Sequence, residues 1–447
     1  MLESLASHLT AQQAPLQAAL AELVRIPSVC AEGAGGYPFG EAIDQALHKA
    51  LQIAESLGFK TKYGDDGYYG FAEIGEGAEM LGILGHLDVV PPGKLEDWEH
   101  NPFDPVEKDG MLSGRGTQDD KGPMLAALFA VKALMDAGVL FNKRVRFIFG
   151  TDEETLWRCI NRYKENEDIP DMGFSPDSRF PVTFAEKGLL QLHLTGKNES
   201  QVRLSGGSTF NAVPDMIFYD GERQDDLADE LDKLGFEYEW YEDRIEVKGR
   251  AAHAMIPEEG VNAIARLCIA LQAIGIESKA INFIAQEIGE DPSATRIFGE
   301  CADAPSGKLK FNVGMIDLGG VEQVSIDSRL PVTIPKHEIV SKLSAAAAGY
   351  GLEYKEFDWL APIYLPLDHF IVETLMKVYR QYSGDAVTQP RASGGATYAR
   401  AMPNCVAFGA LTQDELLTEH QPNERAVLTN LYKAMEIYAH AIFELTR

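Results

Sequence analysis

Apolar residues fall along the chain in two distinct periods. Unbroken aliphatic runs bounded by glycine or proline occupy EMLGILGHLDVV (79–90) and RVRFIFG (144–150), the pattern of strands buried on both faces. Between them, KGPMLAALFAVKALMDAG (121–138) is apolar on a helical period, with Pro123 in its first turn and Gly138 at its C-terminal end. Strand, helix, strand in this order predicts a parallel α/β sheet, whose ligands bind just beyond the carboxyl ends of the strands. His86, Asp88, Asp152, Glu153 and Glu154 hold those positions. From 184 onward the pattern shortens to alternating stretches, RIEVKG (244–249) and VSIDSRLPV (324–332), around a helical one, VNAIARLCIALQAIG (261–275). This reads as an α+β insertion, after which Gly-rich and His-bearing loops return. The chain closes on an amphipathic helix, AVLTNLYKAMEIYAHAIFELT (426–446).

Composition narrows the partners. A chain of 447 residues, 45% apolar and 24% charged, is globular and long enough for two domains. Lys and Arg number 40 against 68 Asp and Glu, a net charge of −28 that repels phosphate backbones and anionic lipid, so no nucleic acid or membrane partner is expected. Cys30, Cys159, Cys268, Cys301 and Cys405 are scattered, odd in number and without a CxxC pair. They indicate neither a disulfide framework nor a zinc ribbon, and they suit a reducing compartment. The start, MLESLASHLT, lacks a basic region followed by an apolar core, and no apolar run approaches the roughly 20 residues that span a bilayer. A cytoplasmic location is the expectation.

Chemistry concentrates in a few segments. In GHLDVVPPG (85–93), His86 and Asp88 lie two apart at a strand end and project to one side. A metal-bound imidazole commonly donates its second N–H to a neighbouring acceptor, although an HxD pair alone also describes a hydrogen-bonded loop. GRGTQDDKG (114–122) sets Asp119 beside Asp120 at a helix start. Helix capping accounts for one aspartate; a dication offsets the mutual repulsion of both, and one carboxylate can bridge two metals. GTDEET (150–155) places three acids after a buried strand, where adjacent glutamates can divide labour between holding metal and taking a proton. Asp177 in GFSPDSRFP and His420 in TEHQPNE complete a His/Asp/Glu/Asp/His set. His8, His48, His100, His193, His337, His369 and His440 have no comparable company and are read as structural.

The succession HLDVVPPG, NPFDP, DGMLSGRGTQDDKGP, GTDEET, SPDSRFP, GRAAHA, SGGATYAR and EHQPNE resembles the M20 metallopeptidase family, and within it the PepV-type bacterial dipeptidases. The resemblance covers nearly the whole chain. It implies a three-layer α/β catalytic domain with a mixed, mostly parallel sheet in two parts, 1–183 and 384–447, around an enlarged, two-lobed α+β lid at 184–383. By the same resemblance His86, Asp119, Glu154, Asp177 and His420 hold two divalent ions, Zn²⁺ foremost, with Mn²⁺ or Co²⁺ also suited to such donors. Asp119 would bridge, joined to Asp120 by a cis peptide; His86 and Asp177 would take one ion, Glu154 and His420 the other. Asp88 would orient His86. Glu153 would be the general base, deprotonating a bridging water and passing the proton to the leaving amine. Lid residue His253 would polarise the scissile carbonyl, with Asn211 beside it; Arg329, Gly394 and Gly395 would receive the free C-terminal carboxylate of a small peptide. A lid of this size implies that His253 acts within its own chain, so a monomer is expected. The implied activity is dipeptide hydrolysis; deacylation of N-acyl amino acids or of succinyl-diaminopimelate is the alternative that the same site would serve. A non-catalytic binding protein is disfavoured, because no ligand or base of the set is missing.

Overall fold

The computed structural model describes residues 2–31 and 36–447. Packing divides the chain into two compact units: Met1–Phe184 with Leu365–Arg391 and Thr397–Arg447, and Ala185–Tyr364 with Ala392–Ala396.

The first unit is built on a mixed sheet. Its strands β1 (Lys60–Gly64), β2 (Tyr69–Ile74), β3 (Met80–His86), β4 (Arg144–Gly150), β5 (Met172–Ser175) and β6 (Val182–Glu186) are joined by Cys405–Phe408 in the order β1, β2, β4, β3, β5, Cys405–Phe408, β6. The central β4, β3, β5 and Cys405–Phe408 run parallel, whereas β1, β2 and β6 are antiparallel to their neighbours. Every residue of β3 is buried, which is why its sequence shows no alternation. Helices α1 (Leu2–Val24), α2 (Glu41–Ser56) and α3 (Lys121–Asp136) cover one face. Gly70 lies against Leu47 and Leu51 of α2, Gly85 lies against Met124 of α3, and both glycines pair with Phe149, so the two helices share a side. The opposite face takes Tyr163, edge-on to Tyr69, and Tyr398, which lies against Gly150. Helix, sheet and helix form the three layers. The C-terminal helix Leu428–Thr446 packs on α1 and α3, so the two ends of the chain meet in one layer.

The second unit has a five-stranded antiparallel sheet in the order Ser205–Gly206, Lys310–Leu318, Val321–Leu330, Gly188–Lys197, Glu353–Leu360, and a three-stranded sheet of Met216–Tyr219, Ile245–Lys248 and Tyr238–Trp240. Along Gly188–Lys197, Leu190, Leu192 and Leu194 are fully buried while Gln191 and His193 face the other way. Those leucines share a core with Leu267 and Leu271 of the helix Ala263–Ala273. The sequence pattern runs the insertion to 383. By packing, however, the helix Phe370–Tyr382 lies with the first unit, where its Tyr379 stacks on Phe180 and the helix abuts Leu428–Thr446. Among the described residues no helix is long and apolar enough to cross a membrane.

Candidate metal centre

Three adjacent parallel strands deliver the site. β3 ends at His86, β4 runs on to Glu153 and Glu154, and β5 runs on to Asp177. These are the carboxyl ends of neighbouring strands, where a parallel sheet leaves its binding crevice. Asp119 arrives from the loop before α3, and its peptide bond to Asp120 is cis. His420 comes from a C-terminal loop and has φ 60, a left-handed conformation uncommon outside glycine.

The five ligand candidates converge. His86 Nε2 lies 2.9 Å from Asp119 Oδ1 and 3.9 Å from Asp177 Oδ2. His420 Nε2 lies 3.0 Å from Asp119 Oδ2 and 3.0 Å from Glu154 Oε1. Asp119 therefore stands between two imidazoles with one oxygen toward each. Donor atoms of His86, Glu153 and Asp177 lie within 4.8 Å of one another, as do those of His86, Asp119 and Glu154. Glu153 thus reaches the same cluster as the ligand candidates.

The three acids of GTDEET separate in role. Asp152 is buried and engaged by Arg158, whose Nε, Nη2 and backbone N–H donate to it at 2.8–2.9 Å. Only Glu153 and Glu154 turn to the cluster. Asp88 makes two links: its backbone carbonyl accepts from His86 Nδ1 at 2.9 Å, and its carboxylate Oδ2 accepts the Glu154 N–H at 2.9 Å. Its Oδ1 lies 3.6 Å from the same imidazole nitrogen, so it is the main-chain oxygen that fixes the ring. Asp120 supports from below, accepting the His86 N–H at 3.2 Å.

The electrostatics of the cluster bear on the kind of group it fits. Burial, reinforced by neighbouring carboxylates, pushes Glu153, Asp177 and Asp120 well above the usual carboxylate range. Burial opposes a charged imidazole, yet the negative carboxylates of Asp119 and Asp88 beside it lift His86 well above its usual value. At His420 the same burial is outweighed by Asp119 and Glu154, and its pKa rises to about 11. Against its own burial, the two imidazoles hold Asp119 well below the carboxylate range. The nearby buried cation turns elsewhere: Lys121 Nζ donates to the carbonyls of Leu23 and Ile26 at the end of α1. His86 Nε2 and Asp119 Oδ1 are buried atoms without a hydrogen-bond partner among the described residues. With Nδ1–H donated to the Asp88 carbonyl, Nε2 presents a lone pair to a carboxylate oxygen. Two acceptors facing each other in a buried site fit a bound cation, and imidazole and carboxylate donors suit Zn²⁺, Mn²⁺ or Co²⁺.

A pH dependence follows. Glu419, half-buried and close to Asp119, is raised from 4.5 to about 7, so the stability it contributes is present below 4.5 and is lost as pH rises through about 7. His420, raised from 6.5, loses its contribution as pH climbs toward about 11. Both slopes have one sign, and the lowered pKa of buried Lys121, about 7, opposes them only above that pH, so metal-free protein is expected to melt at lower temperature as pH rises from about 4.5 to 7. Cation binding needs deprotonated ligands, so the loaded protein is expected to gain stability over the same range. Thermal melts with chelator and with added Zn²⁺ check this; a metal-free melting temperature that climbs with pH would contradict it.

The remaining candidates lie together in the second unit. Ala212 bridges His253, the Ala254 N–H donates to the Asn211 carbonyl, and the Val213 N–H donates to the Ala252 carbonyl, each at 2.8 Å. Asn312, buried, donates both amide hydrogens to the carbonyls of Phe210 and Ala212 and so fixes the loop on either side of Asn211. His253 Nδ1 accepts the Met255 N–H at 3.1 Å, which puts the proton of the neutral ring on Nε2. Arg329 is 3% exposed, and its Nε and Nη2 donate to Asp327 at 2.6 and 2.9 Å while Nη1 donates to the Gly394 carbonyl at 2.8 Å. The guanidinium fork is thus engaged by Asp327, leaving one N–H on each of Nη1 and Nη2 beyond these bonds. The Gly395 N–H donates to Ser393 Oγ.

Sequence reasoning missed two residues that organise the first unit. Glu424 is 1% exposed and accepts from Arg115 Nη1 (2.7 Å) and from the backbone N–H groups of Gly116, Gln118 and Asp119. Gln118 is 4% exposed and bonds into the His420 loop. Both stand inside quoted blocks, TEHQPNE and GRGTQDDKG, but their partners lie some three hundred positions away along the chain.

The model of peptidase family M20/M25/M40 matches residues 82–444. A Bacillus subtilis (strain 168) protein named "Putative dipeptidase YtjP" is 34% identical over 454 residues, covering 95% of this chain and 96% of that protein. "Putative dipeptidase SH1171" of Staphylococcus haemolyticus (strain JCSC1435) is 32% identical over 91% of this chain and 92% of that one. Among solved structures, the di-peptidase Dug1p from Saccharomyces cerevisiae matches with TM-score 0.63 at 14% identity, covering 100% of this chain and 98% of that one. Human carnosine dipeptidase 1 matches with TM-score 0.61 at 16% identity over the same shares. At such identities the structural likeness speaks for the fold.

Proposed function

The chain belongs to peptidase family M20/M25/M40, and from that premise we propose that it is a two-metal dipeptidase acting on dipeptides with a free C-terminal carboxylate. The observation that carries this reading is the carboxylate of Asp119 lying between His86 and His420, with Asp177 beside one imidazole and Glu154 beside the other. His86 and Asp177 would hold one ion and Glu154 and His420 the second, with Asp119 common to both. Bound there, the ions would supply Lewis acidity and lower the pKa of water.

The chain's own groups do the rest. Glu153 takes a proton from the attacking water on its carboxylate and delivers it to the leaving amine nitrogen. Its burial among other carboxylates raises its proton affinity, which suits a group that must accept and then release a proton. Asp88 holds both sides of the cluster, through His86 Nδ1 and the Glu154 N–H. His253 donates its Nε2–H to the scissile carbonyl oxygen, a role supported by the Met255 bond to Nδ1. Arg329 offers its two remaining N–H groups to the substrate carboxylate.

Hydrolysis of free dipeptides, N-acetyl amino acids and succinyl-diaminopimelate, each with Zn²⁺ or Mn²⁺, tests the reading. Free dipeptides are expected to be cleaved in preference. Cleavage of the acylated compounds alone would keep the metal centre and move the protein to the deacylases. Amidating the C-terminus of a good dipeptide is expected to lower kcat/KM by about 10- to 100-fold, the loss of one charge-assisted hydrogen bond. Equal rates on the amide would remove Arg329 from substrate recognition.

A further inference from the structure

The loops carrying Asp119 and His420 each reach into the other. Glu424, four residues beyond His420, sends its carboxylate into the Asp119 loop: Oε1 accepts the Gln118 N–H at 2.8 Å and the Asp119 N–H at 3.2 Å, and Oε2 accepts the Gly116 N–H at 3.0 Å and Arg115 Nη1 at 2.7 Å. Gln118, immediately before Asp119, sends its amide the other way. Its Oε1 accepts the backbone N–H groups of Thr418 (2.7 Å) and Glu419 (3.0 Å), and its Nε2 donates to the carbonyls of Leu416 (3.0 Å) and Arg425 (3.4 Å). Both side chains are nearly fully buried, and four of their partners are the backbone groups of Gln118, Asp119, Thr418 and Glu419, flanking or belonging to the ligand candidates. Backbone pairing of Arg425–Val427 with Met111–Ser113 closes the ends of the two loops.

From this we infer that Glu424 and Gln118 are positioning residues that form a reciprocal lock setting the spacing of Asp119 and His420, and so the affinity for the cation those two residues share with Glu154. The inference rests on the proposed two-metal reading. A lock of this kind explains how His420, half exposed and in a left-handed conformation, stays 3.0 Å from both of its carboxylate neighbours. Thr418 and Glu419 are pinned by Gln118, so the residue after them has little freedom. The other ion's candidates, His86 and Asp177, are carried by β3 and the turn after β5 and do not depend on either side chain. The lock therefore acts on one ion more than the other.

The test is a Co²⁺ titration of the full metal-free chain, followed by calorimetry and by the visible absorption of the bound ion, for wild type, Glu424→Gln and Gln118→Met. The wild type is expected to take two equivalents. Each variant is expected to lose about 10- to 100-fold in affinity for one equivalent, with a changed visible band and an unchanged far-ultraviolet spectrum. The double variant is expected to lose much less than the product of the single losses, because both changes open one lock. Glu424→Gln leaves buried Arg115 without its counter-ion; should it not fold, Gln118→Met removes no charge and carries the test. Variants that bind both equivalents with wild-type affinity and spectrum, or that weaken both equally, would overturn the lock while the two-metal reading stands. A wild type that takes fewer than two equivalents would overturn reading and lock together. A wild type that takes two but leaves dipeptides intact, with variants weakened at one, would overturn only the proposed substrate and support the lock.

Discussion

Glu153→Gln is expected to lower the turnover of a free dipeptide by about 10²- to 10⁴-fold, the usual contribution of a positioned general base. The substitution keeps the size of the side chain and removes its capacity to hold a proton. The metal content is expected to stay at two equivalents, because the ligand roles fall to other residues. That second readout matters, since the Glu153 carboxylate lies close to His86 and Asp177. If Glu153→Gln lost one equivalent along with its activity, Glu153 would be a ligand rather than the base. The pH profile offers an independent check. A group whose proton affinity is raised by burial beside Glu154, Asp119 and Asp88 becomes an effective base only where the bound cations offset those charges. The acid limb of kcat/KM is therefore expected to move with the metal used, and to vanish in Glu153→Gln.

The parts of the molecule legible in the sequence are those governed by local period. β3, β4 and α3 are unbroken or periodic apolar runs with glycine and proline at their ends, and they stand within a few residues of their expected bounds. Their order places His86, Glu153 and Glu154 at adjacent strand ends, so much of the candidate site could be assembled from spacing alone. What could not be read was set by contacts between distant positions. Nothing local distinguishes Asp152 from Glu153: the pairing with Arg158 decides which acid turns away from the cluster. Nothing local marks Glu424 either, since its meaning lies in backbone donors at 116–119. The end of the insertion was likewise obscured, because Phe370–Tyr382 is an amphipathic helix that would suit either unit until its partners, Phe180 and Leu428–Thr446, are known. Arg329 shows the same limit at a single residue: its expected role as a carboxylate receptor comes from the family resemblance alone, and nothing local shows that Asp327, two positions earlier on the same face, engages two corners of its fork.

Asp119→Ala is expected to reduce activity to the assay background, at least about 10³-fold, and to remove both metal equivalents. The argument is geometric. Oδ1 faces His86 and Oδ2 faces His420, so one truncation takes a donor from each half of the centre. His420→Ala, by contrast, removes a donor from one half only, and is expected to leave one tightly bound equivalent with His86 and Asp177. The two variants differ in stability as well. Without its carboxylate, Asp119→Ala leaves buried His86 and half-exposed His420 without the group that favours their charged forms. Its metal-free melting temperature is therefore expected to depend less steeply on pH than that of the wild type. Metal analysis of the purified variants, read beside their activities, separates the cases. An Asp119→Ala protein that kept one full equivalent would show that the two halves do not share this residue, and the single carboxylate between two imidazoles would then belong to one ion alone.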